Sequence, residues 1–538
     1  MEGEQRVGGA GQRAVQLRGR EDRVEAHGRS LSDLAWKRES RPERPGKGHR
    51  RGAISVTRPS SRGQPRGGRV DGFPGPCHAV RGGFFCALAV LFSRVFRSRT
   101  VNGVSDYDIV ICGAGAGGLT AAILLGRQGR RVLLVDKLTD TVETFKGELL
   151  QPGSLATLDS IGALETLRRA GGRRIDRLVC AGDDGAELCA MDYRWLPSAY
   201  DHCLTHTYKG ILDNLIQALP ATVEFRRGVS VERAVRDGSG RVAGVVLRER
   251  GARAEVSADL VVAADGHASK LRGQVGIEVD TTPYDHQVVA IDLAGVPELA
   301  HQATTTITRD GMRVMYPMPG GGGRLYLQVE RGLVNRIGKA GLAGWVDEAV
   351  AACPSVAPIA ESVRAGVPTC RVLSARRFVA PVFHGAGMPL IGDAAHAVHP
   401  MAGQGMNAAI ADAVRLAGAF RDVSTSGSGA VDAALAEYDR VRRPELKTIS
   451  EFSHRFAEMF TTAVGNFGYA RSKYILSCHG RNRRLCYKIM HNISGLGYRK
   501  FSVLDRLQQL GWPDRAADEL PPRRAGVDGA VEATLDPR

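Results

Sequence analysis

One stretch restricts this chain more than any other. Tyr107 to Cys112 is a short apolar run, Gly113-x-Gly115-x-x-Gly118 follows it, and an apolar helical segment leads on to Arg131-Val132-Leu133-Leu134-Val135. That second run ends in Asp136, 23 residues after Gly113. The order strand, glycine turn, helix, strand, acid predicts a dinucleotide-binding βαβ unit. Gly113 allows the tight turn, Gly115 lets backbone approach a pyrophosphate, and Gly118 lets helix and strand pack closely. The phosphates then lie at a helix N-terminus. Asp136 is placed to accept hydrogen bonds from ribose hydroxyls and its charge opposes a 2′-phosphate, which favours FAD or NAD over NADP.

The bulk charge points elsewhere until it is divided along the chain. The formal net charge is +16 over 538 residues, but residues 1–104 hold 21 Lys and Arg against 9 Asp and Glu, leaving 52 against 48 in the rest. The basic excess belongs to the N-terminal extension, so nucleic-acid binding is not expected. That extension is rich in Arg, Gly, Ser and Pro without a sustained period, and a disordered segment is predicted. Its one apolar run, Phe84 to Phe92, is far shorter than the ~20 residues that span a bilayer. Three readings of the extension remain, a targeting segment, a basic tether, or translation from an upstream start codon; the last is favoured, with the working protein starting near Val101 or Val104. Ten cysteines are scattered without a Cys-x-x-Cys pair, so neither a metal site nor a disulfide framework follows, and reduced thiols in a cytoplasmic protein are expected.

Two further motifs stand downstream. Leu260-Val261-Val262-Ala263-Ala264-Asp265-Gly266 is an apolar run ending in Asp-Gly, with Ser269 and Arg272 beyond it. Pro389-Leu390-Ile391-Gly392-Asp393 opens the other, which continues through His396, His399 and Pro400 to Gly403-Gln404-Gly405-Met406-Asn407 and a helix reaching about Phe420. Asp393 would emerge at the carboxyl end of a strand, where open α/β sheets bind ligands. The turn from Pro400 to Gly405 presents backbone N–H groups at a helix start, a preorganised positive region.

Taken in order and spacing, the three motifs and the closing Tyr438-x-x-x-Arg442-Arg443-Pro444 resemble single-component flavoprotein monooxygenases of the para-hydroxybenzoate hydroxylase type, over roughly Asp106 to Pro444. The resemblance implies an α/β fold: a Rossmann-type FAD-binding domain, an inserted, mainly antiparallel β-sheet substrate domain, and a helical C-terminal region. The expected division is a basic extension at 1–104, the FAD-binding domain at 105–276 and 383–444, the inserted sheet at 277–382, and a helical region with a polar tail at 445–538. It also implies FAD as cofactor, NAD(P)H as co-substrate, and O₂ and a small organic molecule as the reacting partners. No second Gly-x-Gly-x-x-Gly occurs, which favours a nicotinamide that docks transiently on the flavin. Asp393 would contact the ribityl chain and Asp265 would bridge the pyrophosphate and a helix; Gly403, Gln404, Gly405 and Met406 suit the negative charge of reduced flavin, and Gly266, Gly392, Pro400 and Asn407 complete the cofactor-binding set. Lys146 stands where aromatic hydroxylases carry an Arg. No catalytic side chain is assigned, because the cofactor carries the difficult chemistry, and His396 and His399 are expected to be ordinary polar residues.

The substrate is open at this level. Gly147-Glu148-Leu149-Leu150-Gln151-Pro152-Gly153 is similar to squalene epoxidase, whereas Gly403 to Asn407 is more similar to ubiquinone-pathway and polyketide hydroxylases. Hydroxylation of an aromatic or quinone-precursor substrate is the first expectation; the alternatives are epoxidation of an apolar polyprenoid, reduction of prenyl double bonds, and a non-catalytic FAD-binding protein. Tyr193, Tyr316 and Tyr326 are either partners for a phenol or core aromatics. The basic, aromatic stretch from Arg471 to Arg506 is either a peripheral membrane contact or a solvated helical cap. Nothing in the sequence sets the oligomeric state.

Overall fold

The computed structural model describes residues 105–145, 147–296 and 301–520. The expectations for the extension 1–104 and for Lys146 lie outside the described residues.

Two sheets organise the chain. The first runs in the order Val223–Arg227, Val132–Asp136, Tyr107–Cys112, Ala252–Ala263, Val242–Glu249, Val229–Arg236. Its first four strands are parallel, with Ile109 opposite both Val132 and Leu260. Strands covered on both faces read as continuous apolar runs, and Ile109 to Cys112 and Val132 to Leu134 are fully buried. The helix Ala116–Arg127 is buried nearly all round. It needs a second helix against its outer side, which Gln404–Ala419 supplies: a Cβ on Gly117 would stand 3.0 Å from the Ala409 carbonyl oxygen. The third motif is thereby brought from 290 residues away onto the first.

The second sheet has eight strands in the order His396–Ala397, Arg371–Val379, Thr282–Leu293, Gly323–Glu330, Gly311–Pro317, Gln302–Thr308, Arg177–Ala181, Glu187–Asp192. All pairings but one, Gln302–Thr308 with Arg177–Ala181, are antiparallel. It is wider than the stretch 277–382, because two strands enter from ahead of that stretch and one, His396–Ala397, from beyond it. Period-two alternation sorts its faces. Leu325, Leu327 and Val329 pack with Leu342, Val346 and Val350 of the helix Leu333–Ala351, while Tyr316 and Met318 pack with Phe452, Phe456, Phe460 and Met490.

The latter residues belong to the C-terminal helices Ser428–Thr461, Gly465–Gly480 and Arg483–Ile493, followed by Val503–Gln509. Among the described residues no helix is long and apolar enough to cross a membrane. The aromatic residues of this region divide: Tyr469 and Tyr487 are tucked into the body, whereas Tyr474 and Tyr498 are exposed.

Candidate cofactor cradle

The three glycines of the first motif have separable duties. Gly113 has φ +116°, a region that glycine tolerates and other residues avoid, and a Cβ there would lie 2.2 Å from the Ala264 carbonyl oxygen. A Cβ on Gly118 would lie 1.9 Å from the Gly113 carbonyl oxygen. Both are therefore demanded by the turn itself. Gly115 differs: its φ is −72°, and a Cβ there would meet nothing nearer than the Tyr208 hydroxyl at 3.5 Å. Gly118→Ala is accordingly expected to fail at folding, seen as loss of soluble protein, rather than at ligand binding alone.

Asp136 braces this turn, its carboxylate accepting from Ala114 N at 2.7 Å and Leu138 N at 2.8 Å. The helix that starts at Gly115 has no side-chain cap, so its first N–H groups remain as donors. Burial pushes the neighbouring Tyr208 hydroxyl up to about 12, which keeps it protonated at neutral pH.

Ile391 N donates to the Ala263 carbonyl at 3.0 Å, and Ala264 N to the Cys112 carbonyl at 2.9 Å. These two bonds align the carboxyl ends of all three motif strands. Asp265 Oδ2 accepts from Lys270 N and Leu271 N, while its Oδ1 is buried without a partner. Gly266 follows at φ +86°. Arg272 ties the second motif to the third, donating to the carbonyls of His267 at 3.2 Å and Ala394 at 2.8 Å. Asp393, half-buried just after Gly392, accepts no hydrogen bond among the described residues.

Below it lies a fully buried bracing cluster. Asp412 accepts from Gly392 N at 2.8 Å, His396 Nε2 at 2.7 Å and Arg442 Nε at 2.6 Å, and Arg442 also donates to the Ala408 carbonyl. The expectation of an ordinary polar His396 is thus replaced by a structural duty, and the closing Arg442 motif acts by holding the Gly392 turn. Burial alone would raise the Asp412 carboxyl; His396 and Arg442 beside it outweigh that and carry it down to about 2 from 3.8. A depressed carboxyl contributes stability that is present above its unfolded value and is lost as pH falls through its folded one. We expect about 2–3 kcal/mol of stability to disappear between pH about 4 and 2, with a shallower acid loss in Asp412→Asn, measured by denaturant melts across that window.

At the start of Gln404–Ala419 stands Gly403, at φ +61° and without a side-chain cap; a Cβ on Gly405 would meet no protein atom within 4 Å. Pro400 begins the preceding turn, with Gly403 N donating to its carbonyl at 2.8 Å. Two side chains here brace the protein. Gln404 Nε2 donates to the Ile493 carbonyl at 2.7 Å, holding a C-terminal helix. Asn407 accepts from Gln151 N and donates to the Leu149 carbonyl, fixing the segment that enters the next helix. Met406 is buried. What this turn leaves open is backbone N–H.

A buried cluster that sequence reasoning passed over sits beside the cradle. Glu148 pairs with Arg324 at 2.8 Å, and the hydroxyls of Tyr316 and Tyr326 donate to it at 2.8 and 2.9 Å. Arg324 lies over the Phe145 ring at 3.7 Å. Tyr193 donates to Gln151 Oε1 at 2.6 Å. All three tyrosines are therefore committed within the protein. Tyr193 and Tyr316 are core aromatics, and Tyr326 is the half-buried one. The partners of Glu148 are 168 to 178 positions away, so no local pattern announces them.

Residues 106–453 match the FAD binding domain family. The chain belongs to this family. Among its relatives is 6-methylpretetramide 4-monooxygenase of Streptomyces rimosus, 33% identical over 328 residues, 57% of this chain and 73% of that protein. Squalene epoxidase erg1 of Schizosaccharomyces pombe is 29% identical over 328 residues, 58% of this chain and 68% of the relative. Among solved structures, P. aeruginosa PqsL in complex with 2-aminobenzoylacetate superposes with a TM-score of 0.60 at 26% identity, covering 68% of this chain and 99% of PqsL. This FAD binding domain protein is an FAD-dependent monooxygenase, with NAD(P)H as co-substrate and O₂ and a small molecule as its reacting partners.

Proposed function

We propose that FAD lies across the carboxyl ends of the three motif strands and that the enzyme hydroxylates an aromatic ring. The observation that carries the placement is the pair of uncapped helix starts, at Gly115 and Gly403, together with the unpartnered Asp265 Oδ1 and the Asp393 carboxylate that accepts no hydrogen bond among the described residues. Phosphate suits the first helix start, where Gly115 offers room and free N–H groups. Hydroxyl donors of the ribityl chain suit Asp393, which accepts no hydrogen bond among the described residues, and the unpartnered Oδ1 of Asp265. Asp136 holds the adenosine ribose, and Gly266 and Gly392 supply the backbone turns. The N–H groups of Gly403 to Met406 face the flavin ring, with Pro400 beside it, while the side chains of Gln404 and Asn407 support that turn from behind.

When bound, FAD supplies the electrons taken from NAD(P)H and the activation of O₂. The chain's own contribution is to orient the substrate and to exclude water. Phe452, Phe456 and Phe460 close the face of the large sheet on which Tyr316 packs, so a ring placed there is shielded. The aromatic substrate class is supported by the Streptomyces relative, a 6-methylpretetramide 4-monooxygenase, and by the 2-aminobenzoylacetate in the PqsL complex. Titration of the apoprotein with FAD tests the cradle. Asp393→Ala should weaken FAD binding at least tenfold with unchanged melting of the apoprotein, and His396→Ala should instead lower the melting temperature. Equal FAD affinity in Asp393→Ala would contradict the placement.

One observation favours a second reading, in which an apolar substrate arrives from a membrane surface. Val503, Leu504, Leu507, Leu510 and Trp512 are exposed in a row beside Arg499 and Lys500. Co-sedimentation with anionic vesicles, lost in Leu504→Glu combined with Leu507→Glu, supports this contact; absence of co-sedimentation removes it.

A further inference from the structure

Arg313 is 2% exposed, yet it forms no ion pair with a described carboxylate. Its Nη1 donates to the Met312 carbonyl at 3.1 Å, while Nε and Nη2 are both buried without a partner. Alternation along Gly311–Pro317 puts its side chain on the face opposite Met312 and Tyr316, beneath the helix Leu333–Ala351. Its cross-strand neighbours there are Thr306 and Leu327, and neither carries a charge. A buried unpaired guanidinium is among the most unfavourable arrangements in a protein interior.

A cavity of about 840 Å³ opens at Arg313, with Val329, Leu333, Trp345 and Ala349 forming much of its apolar wall. None of the glycine turn, Asp265, Asp393 or Gly403 to Met406 lines it. We propose that this cavity is a second ligand site and that it takes a small organic monocarboxylate, bound through the Nε–Nη2 edge of Arg313. Nε and Nη2 donate in parallel from one side of the planar guanidinium, which matches the two oxygens of a carboxylate. No more than one negative charge is what the site accommodates, because Asp285, Asp310, Glu330, Glu348 and Glu458 also line the cavity, with Arg377 the one other arginine there, and oppose a phosphate dianion. The apolar wall receives the hydrocarbon or aromatic body, and the volume lies within the range of small-molecule pockets, about 300–1,000 Å³.

Calorimetric titration of the full chain with FAD bound tests this, with benzoate, benzamide and inorganic phosphate as probes. Benzoate should bind saturably, benzamide at least tenfold more weakly, and phosphate without saturation. Arg313→Met should lose the benzoate response while melting, without ligand, at or above the wild-type temperature. Arg313→Lys keeps the charge but not the fork and should weaken benzoate at least fivefold. The proposal is overturned by absent benzoate binding, equal affinity for benzamide, tighter binding of phosphate, or undiminished benzoate affinity in Arg313→Met. It is overturned equally if Arg313→Met melts below the wild type, since Arg313 would then have a protein partner. Benzoate that shifts the flavin's visible absorption and still binds Arg313→Met lies at the flavin and contradicts the second site.

Discussion

Gly115→Val should purify as folded, colourless protein. Gly115 has φ −72°, which valine adopts without strain, and the nearest atom to an added Cβ is the Tyr208 hydroxyl at 3.5 Å, an ordinary contact. The polypeptide therefore loses nothing by the change. On the proposed placement the pyrophosphate does lose its place, because the added side chain would occupy the room at the first helix start and screen its N–H groups. Flavin content, read as the ratio of absorbance at the flavin band to that of the protein, should fall more than tenfold, with the far-UV circular dichroism and the apoprotein melting temperature unchanged. A yellow Gly115→Val protein with full FAD content would show that the pyrophosphate lies elsewhere.

The second large effect concerns Glu148 and Arg324, both essentially without solvent exposure. Arg324→Met removes the cation and leaves a buried carboxylate held only by two tyrosine hydroxyls. Breaking a buried pair from one side typically costs about 3–5 kcal/mol, because the surviving charge has lost its compensation. We expect a loss of that size in denaturant melts of Arg324→Met. Glu148→Gln combined with Arg324→Met should recover much of it, since the charge is then gone from both sides. A single variant within about 0.5 kcal/mol of wild type would contradict the pairing.

How much of this was legible in the chain depends on distance along it. The glycine turn was readable because strand, turn, helix and acid fall within 30 residues and each position has a local steric reason. Asp265 and Asp393 were readable as strand-end acids for the same cause. The split between the two kinds of glycine was not, because it depends on what Ala264, far along the chain, places against Gly113. Gln404 and Asn407 were readable as members of the cofactor-binding motif, but their side-chain duties, bracing Ile493, Leu149 and Gln151, were not; an amide's choice of partner is decided by tertiary neighbours that spacing does not reveal. His396 follows the same rule: its partner Asp412, which Arg442 also binds, reaches it only when two helices and the Gly392 turn meet. Glu148 stood in plain view within a quoted motif, yet its burial rests on Arg324 from another sheet.

The most direct test of the account is turnover under ¹⁸O₂ with the FAD-loaded enzyme, NADH or NADPH, and in parallel a panel of fused-ring phenols and squalene. Nucleotide oxidation should depend on the phenol, with one ¹⁸O atom per product molecule, located on the aromatic ring by mass spectrometry. Label appearing in a squalene epoxide and in none of the phenols would contradict it.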